Sequence, residues 1–586
     1  MVSLEQKRHT LAHLLASVVC ARFPHAKPAI GPTTEHGFYY DFDFGTGEKP
    51  TEKDLVTLEK AMQKELALWE MMQEETPSPE EAKKRVAGNT YKEEILGDIV
   101  AKGETATFYT SLSTDGVARF SDLCRGGHSE HPAREIAPDS FVLERVAGAY
   151  WRGDEKNTML TRIYGLAFET KEELETYRAR IEEAKKRDHR KLGKELDLFT
   201  FSDLVGAGLP LWTPRGALVR DELDRFVWSL REKHGYQRVS IPHITKRDLY
   251  EKSGHWEKFS EELFRITTRE GKEYALKPMN CPHHTQIFAR HPHSYRDMPQ
   301  RYAETTMVYR DEQSGELGGL TRVLSITQDD AHVFCRSSQV KEEFLRIWDI
   351  VETFYGAFGI TLQVRISLHD PAHPEKYLGT KEVWASAESI LRDIAKSRAL
   401  DYFEAEGESA MYGPKLDFMG VDSLGRKHQV ATIQLDMNLP ERFDLSCINE
   451  QGEKERIVMI HAAIMGSIER FTAVLLEHTG GAFPLWLSPI QVAVLPVGQV
   501  HHAYADTVAT ALRSAGLRVE TRLAEESLGK RIRATAQEKV PYRMVLGDTE
   551  MTSATVKLEH RDGSSRTLPL AEVCEVLKKE VTERVG

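Results

Sequence analysis

Residues 306–335 read TMVYRDEQSGELGGLTRVLSITQDDAHVFC. The pattern is a strand, a glycine-containing loop and a second strand that returns beside the first. Residues two apart along a strand face the same side, so Arg310 and Glu312 are expected to project together, with Arg322 returning opposite them. An arginine can grip a phosphate through two parallel hydrogen bonds, and a neighbouring carboxylate can accept from an exocyclic amine. Taken alone, the same residues read as a cross-strand ion pair. Upstream, residues 213–244 (TPRGALVRDELDRFVWSLREKHGYQRVSIPHI) predict a long amphipathic helix over 216–234 and a strand over 238–242. Downstream, residues 457–471 (IVMIHAAIMGSIERF) join a β-branched strand to a helix, with Gly466 at the junction and Arg470 one turn in. There the backbone can approach a ligand closely and a second arginine can reach a phosphate.

The chain around these segments has 586 residues, enough for three or four domains, and excludes a small disulfide-stapled scaffold. Its mean hydropathy of −0.44 leaves no long apolar stretch for a membrane span. Lysine and arginine number 78 against 90 acidic residues, a net charge of −12, which argues against a general nucleic-acid coat but not against a local RNA site. The segment from Leu485 onward is near neutral. Six dispersed cysteines without a CxxC read as reduced intracellular thiols, and the localisation expected is cytoplasmic. The apolar run from Leu11 to Ala21 behind Lys7 and Arg8 superficially resembles a secretory leader. His9 and His13 interrupt it and a strand-and-turn pattern follows, so a helix carrying both histidines on one face fits better.

The blocks expected are a mixed helix and strand region over 1–166, a charged connecting helix over 167–194, a long central block over 195–484, and a strand–helix repeat over 485–586 with a partly parallel sheet. The three central segments, in that order, resemble motifs 1, 2 and 3 of class II aminoacyl-tRNA synthetases. The strings RDHRKLG, SGHW, LKPMNCPHH, SYRDMPQRYAE, TQDDAHVFC, MYGPKLDF and TIQLDM make the match specifically similar to threonyl-tRNA synthetases, collinear along essentially the whole chain. The resemblance implies an α+β multidomain protein: an α+β N-terminal editing domain, a class II antiparallel sheet flanked by helices, and a C-terminal α/β anticodon-binding domain. It also implies a homodimer formed through motif 1, with no membrane. A prolyl enzyme would share the motif set and the last domain, and a synthetase-like RNA-binding protein would have lost catalysis. Many bacterial relatives also carry a small ubiquitin-like domain ahead of the editing block, with which this sequence begins.

Residue by residue, the resemblance implies that Arg310 holds the α-phosphate and the substrate carboxylate, Glu312 reads adenine, and Arg322 and Arg470 hold the outer phosphates with Mg²⁺. Tyr412, Lys415 and Gln434 complete the substrate site, Asp330 accepts from the threonine hydroxyl, and His255 is a candidate base for attack by the tRNA ribose. Cys281, His332 and His461 match one zinc site, for which Cys335 is an alternative thiol. Such a metal would separate threonine from isosteric valine, which an apolar pocket does poorly. His9, His13, Lys92, Asp122, Cys124 and His128 match an editing site that hydrolyses seryl-tRNA. HTLAH and CRGGH each place their outer residues four apart, which on two helices would let three histidines and a cysteine converge, also a plausible zinc donor set. Departures from the family pattern are Ile326 for an adenine-stacking phenylalanine, Gly127 for a frequent proline, Glu525 for asparagine and Glu559 for arginine, with Arg561 two residues on; Glu550 conforms.

Overall fold

The computed structural model describes residues 2–398, 402–553 and 555–584. It divides into two compact units, Met1–Glu183 and Ala184–Gly586.

The first unit opens on the helix Leu4–Arg22, started by a reciprocal cap: the Ser3 hydroxyl accepts from the Gln6 amide at 3.2 Å and the Gln6 side chain accepts from Ser3 N at 2.9 Å. The run that resembled a leader is therefore a core helix. Its Leu11, Leu14, Leu15 and Val19 pack against Phe38, Tyr40 and Phe42 of the strand Gly37–Asp43. That strand lies between Lys27–Pro28 and Met159–Ala167, and the latter pairs with Phe141–Tyr150. A separate sheet joins Met71–Glu75, Phe108–Leu112 and Ala118–Leu123. Within the mixed region a helix runs over Leu55–Leu66, and the chain then turns to enter the strand at Met71.

The connecting segment is two helices, not one. Lys171–Lys186 is mostly exposed, as its charge pattern predicts. The chain then breaks, and Asp188 caps a new helix, His189–Glu195, by accepting from Arg190 N at 2.8 Å. Leu192 and Leu196 of the second helix are buried in the core of the second unit, so this piece belongs to that core.

An eight-stranded sheet organises the central block. In chain order the strands are β1 (Gln237–Arg238), β2 (Gln300–Tyr309), β3 (Ser325–Cys335), β4 (Thr361–Leu368), β5 (Tyr402–Glu406), β6 (Lys415–Val421), β7 (Lys427–Asp436) and β8 (Val458–Ala463). Their spatial order is β1-β2-β3-β8-β7-β6-β4-β5. The six inner strands are antiparallel; β1 and β5 add parallel edges that the resemblance does not specify. The strand expected over 238–242 pairs only at Gln237 and Arg238, since Pro242 offers no ladder amide. One face of the sheet packs under the helices Pro214–Lys233, Val340–Gly356, Lys381–Ser397 and Ile468–Thr479, with Ala331, Val333, Ile433 and Ile460 meeting Phe226, Trp348, Phe354 and Phe471. Because side chains alternate, the intervening residues of the same strands build the opposite face.

The last block has its own core around Val492, Val494, Leu512, Met544 and Leu577. Its sheet runs Val519–Thr521, Val492–Pro496, Tyr542–Leu546, Thr555–His560, Ser565–Pro569, with the first three parallel and the rest antiparallel. The partly parallel order agrees with the strand–helix alternation of the sequence.

Candidate functional sites

Register decides the first site. His332 of β3 lies directly opposite His461 of β8, His461 opposite Gln434 of β7, and Gln434 opposite Lys415 of β6, so four residues up to 129 positions apart form one row across the sheet. This row floors a cavity of about 520 Å³ that is also lined by Arg310, Glu312, Arg322, Ile326, Asp330, Tyr412, Arg470 and Cys281. Gln328 lines it too; it shares the face of Asp330 and His332 by the same period of two, a signal the sequence held.

Arg310 and Glu312 reach the cavity differently from the expectation. β2 ends at Tyr309, and both residues stand on the loop beyond it, held by Arg310 N donating to Leu324 O at 3.0 Å. Glu312 Oε2 accepts from Arg322 Nε at 2.8 Å, so the ion-pair reading of the sequence is realised inside the cavity wall. Among the described residues no carboxylate pairs with the side chain of Arg310 or Arg470, and Arg310 Nε is buried without an acceptor. Two guanidinium groups without anions face one cavity. Tyr412 stacks on His461 at 4.7 Å, Lys415 Nζ lies 3.2 Å from Asp417, and Gln434 Nε2 donates to Gly413 O at 2.9 Å.

His255, the candidate base, sits beside the cavity rather than in its lining. Its ring is fully buried. Nδ1 meets Ser253 Oγ at 2.8 Å, while Nε2 points to Met279 Sδ at 3.3 Å and Cys281 Sγ at 3.9 Å. Burial pushes its imidazole down to about 3. In this arrangement the ring lies beneath the cavity, backing Met279 and Cys281.

The Sγ of Cys281 and one ring nitrogen each of His332 and His461 lie within 4.8 Å of one another, all buried. His332 Nε2 and His461 Nδ1 are 3.0 Å apart; His461 Nε2 contacts Asp436 Oδ2 at 2.9 Å and His332 Nδ1 contacts His284 Nδ1 at 2.7 Å. One thiol and two imidazoles, the latter backed by a carboxylate and a third imidazole, suit zinc chemically, and three donors leave the metal open positions. Cys335, three residues past His332, points to the opposite face and is sealed in the helix-covered core, so it drops out of the set. Asp330 accepts from Asn280 Nδ2 at 2.9 Å beside this cluster.

The second site lies in the N-terminal unit, where His9, His13, Lys92, Asp122 and Cys124 border a cavity of about 670 Å³. HTLAH is helical, as expected; CRGGH is not, because Gly126 (φ +97°) and Gly127 (φ +82°) fold it into a left-handed loop. The loop turns Cys124 Sγ to 3.4 Å from His9 Nε2 and 3.3 Å from His128 Nε2, and the His9 and His128 rings stack at 4.2 Å. Proline cannot adopt the Gly127 backbone. Lys92 Nζ and Asp122 Oδ1 pair at 2.7 Å, and Tyr40, which sequence reasoning missed, donates to Asp122 Oδ2 at 2.5 Å. Burial lowers the imidazoles of His9, His13 and His128 and raises the Cys124 thiol to about 11, so the cluster is neutral near pH 7.

In the last block Glu559 pairs with Arg543, so its charge is compensated, while the Arg561 guanidinium is anchored by donating to Phe483 O at 2.7 Å and Ala482 O at 3.0 Å and keeps its charge. Glu550 caps its turn by accepting from Gly547 N at 3.0 Å, and Glu525 is exposed.

Residues 264–479 match the family described as tRNA synthetase class II core domain (G, H, P, S and T), and residues 491–580 match the anticodon binding domain. The sheet and its cavity therefore belong to a class II synthetase. A threonine–tRNA ligase of Porphyromonas gingivalis is 45% identical over 584 residues, 99% of this chain and 88% of that one; one of Deinococcus radiodurans is 43% identical over 98% and 88%. The crystal structure titled as the RNA binding domain of threonyl-tRNA synthetase from Cryptosporidium parvum matches with a TM-score of 0.64 and 38% identity, covering 67% of this chain and 98% of that one. A Giardia lamblia prolyl-tRNA synthetase, at 18% identity and a TM-score of 0.55, shares the fold only. The chain belongs to the threonine–tRNA ligase family.

Proposed function

We propose that the protein activates L-threonine with ATP, giving threonyl-adenylate and pyrophosphate, then transfers threonine to the 3′ end of tRNA(Thr), and that its N-terminal unit hydrolyses seryl-tRNA(Thr). The observation that carries the reading is the single cavity that holds two unpaired arginines beside the Cys281, His332 and His461 cluster. In the first step a threonine carboxylate oxygen attacks the α-phosphorus of ATP, a new P–O bond forms, and the bond to the departing pyrophosphate breaks. Arg310 neutralises the charge that builds on the α-phosphate, and Arg470, with Arg322, holds the outer phosphates of ATP bound with Mg²⁺. Such catalysis is mainly positioning and fixed positive charge. Glu312, aimed by Arg322, accepts from the adenine amine, and Ile326 covers the base with an aliphatic face. Tyr412, Lys415 and Gln434 orient the amino acid, and Asp330 accepts from its hydroxyl. Cys281, His332 and His461 would hold one zinc ion per chain, which when bound would supply Lewis-acid positions for the amino and the hydroxyl group of threonine, of which valine could fill only the first.

Serine fits any pocket that accepts threonine, which gives a second, hydrolytic pocket its physical purpose. A thiol raised to about 11 is not a thiolate at neutral pH, so Cys124 is read as a positioning group; the neutral imidazoles of His9, His13 and His128, made weakly basic by burial, are read as hydrogen-bond acceptors that orient the attacking water, with Lys92 and Asp122 orienting the ester. No helix among the described residues is long and apolar enough to cross a membrane. A cytoplasmic homodimer completes the proposal: all six cysteines are free, and light scattering should give twice the chain mass. The direct test is charging of tRNA(Thr) with labelled threonine, together with release of serine from seryl-tRNA(Thr). Charging is expected from the unsubstituted protein, and loss of serine release in His13→Ala and Cys124→Ala. Unchanged release in both variants places editing elsewhere.

A further inference from the structure

The string RDHRKLG sits outside the cavity, yet its histidine touches the loop that bears Arg322. His189, the first residue of the helix His189–Glu195, is 5% exposed. Its Nδ1 lies 2.7 Å from Glu477 Oε1, and its Nε2 accepts the backbone N–H of Leu320 at 3.1 Å. These two contacts fix the ring: a donor toward the carboxylate leaves Nε2 unprotonated and free to accept. Glu477 is itself held, since Oε1 also accepts from His189 N at 3.2 Å and Oε2 lies 2.6 Å from Arg426 Nη2. Next to Leu320, Gly319 has φ +56°, and a Cβ there would fall 2.3 Å from His189 Nε2. The glycine is what lets the loop backbone come down onto the imidazole. Leu320 starts the short return to Arg322. Thr321 N donates to Gly318 O at 2.9 Å, Gly318 N donates to Arg322 O at 3.2 Å, and beyond them Leu324 N donates to Gly208 O at 2.9 Å. Fixing Leu320 therefore fixes the turn from which Arg322 reaches Glu312.

We propose that His189 is a positioning residue for ATP: through the Leu320 amide it sets the 318–322 turn, and thereby the Arg322 and Glu312 pair, while touching neither substrate. This rests on the ATP reading of the cavity, which the unsubstituted protein tests in the same assay by showing threonine-dependent exchange of pyrophosphate into ATP.

The experiment compares His189→Gln with His189→Met, two unbranched replacements of which only the amide can offer an oxygen to the Leu320 N–H. Each is assayed by exchange, with KM measured separately for ATP and for threonine, and each is melted to verify the fold. The Met variant is expected to raise KM for ATP about tenfold, the scale of one lost hydrogen bond, with KM for threonine within about twofold; the Gln variant should recover most of the ATP effect. Equal ATP KM values for the two variants overturn the proposal. So does a parallel rise in both substrates' KM, and so does loss of the folded state in either variant, which assigns His189 to core stability. Absence of exchange in the unsubstituted protein overturns the ATP reading instead.

Discussion

Arg231 Nη2 and Asp329 Oδ1 pair at 2.8 Å with both side chains buried, and the same carboxylate accepts the amides of Ile464 at 3.1 Å and Met465 at 2.8 Å. The pair ties the helix Pro214–Lys233 to the turn that leads, through Gly466, into the helix of Arg470. Asp329→Asn leaves a buried guanidinium without its counter-charge, and should cost about 3–5 kcal/mol of unfolding free energy in urea. Adding Arg231→Met to Asp329→Asn removes the unpaired charge while the asparagine still offers an oxygen to the two amides, and should recover part of that loss. A single variant as stable as the double contradicts the pairing as the source.

Glu312 and Arg322 separate a structural ion pair from a substrate contact. Arg322 is half exposed, so the pair contributes at most about 1 kcal/mol to stability. Glu312→Gln should therefore melt almost unchanged while KM for ATP rises about tenfold or more, because an amide cannot accept from adenine with the strength of a carboxylate. An unchanged KM would leave the salt bridge as the whole role of Glu312.

Metal content discriminates among the thiols. Elemental analysis should find one zinc per chain, lost in Cys281→Ser and retained in Cys335→Ser, since Cys335 lies on the far face of β3. Asp436→Ala, which frees His461 Nε2, should weaken zinc retention about 10- to 100-fold against a competing chelator. Two zinc ions per chain, one of them lost in Cys124→Ser, would make the N-terminal cluster a metal site and contradict the editing chemistry proposed for it.

Protonation should mark the N-terminal cluster. His9, His13 and His128 are lowered below 6.5 by burial, so they remain neutral acceptors as pH falls through 6.5. Release of serine, corrected for spontaneous hydrolysis, should stay level between pH 7.5 and 6, where an ordinary histidine with a pKa near 6.5 would lose most of its basic form. Stability changes in step. Below pH 6.5 the unfolded histidines take protons that the folded ones refuse, so folding loses about 1.4 kcal/mol per pH unit per group until the folded pKa is reached. A sharp loss of serine release centred at 6.5 contradicts the neutral cluster.

Much of this was legible in the sequence, and the parts that were not have physical reasons. The amphipathic helices over Val340–Gly356 and Lys381–Ser397 follow from local periodicity, and so does the strand alternation that puts Gln328, Asp330 and His332 on one face. The grouping of His332, His461, Gln434 and Lys415 was not legible from spacing: it depends on strand order and register, which are set by non-local pairing. The family strings supplied it by resemblance. Arg310 and Glu312 stand one and three residues past the strand end at Tyr309, where a period of two read from the sequence no longer applies. CRGGH misled as a helix because i, i+4 spacing ignores two glycines at positive φ. His255 shows the remaining gap, since a matching motif says nothing about whether a ring faces the cavity or the floor beneath it.

The most direct measurement is amino-acid-dependent exchange of pyrophosphate into ATP by the purified, zinc-containing protein, offered threonine, serine, valine and proline in parallel. Strong exchange is expected with threonine, weaker exchange with serine, and none above background with valine or proline. Exchange with valine or proline at the level seen with threonine, or none with threonine from a folded, zinc-loaded sample, would contradict the proposed threonine activation.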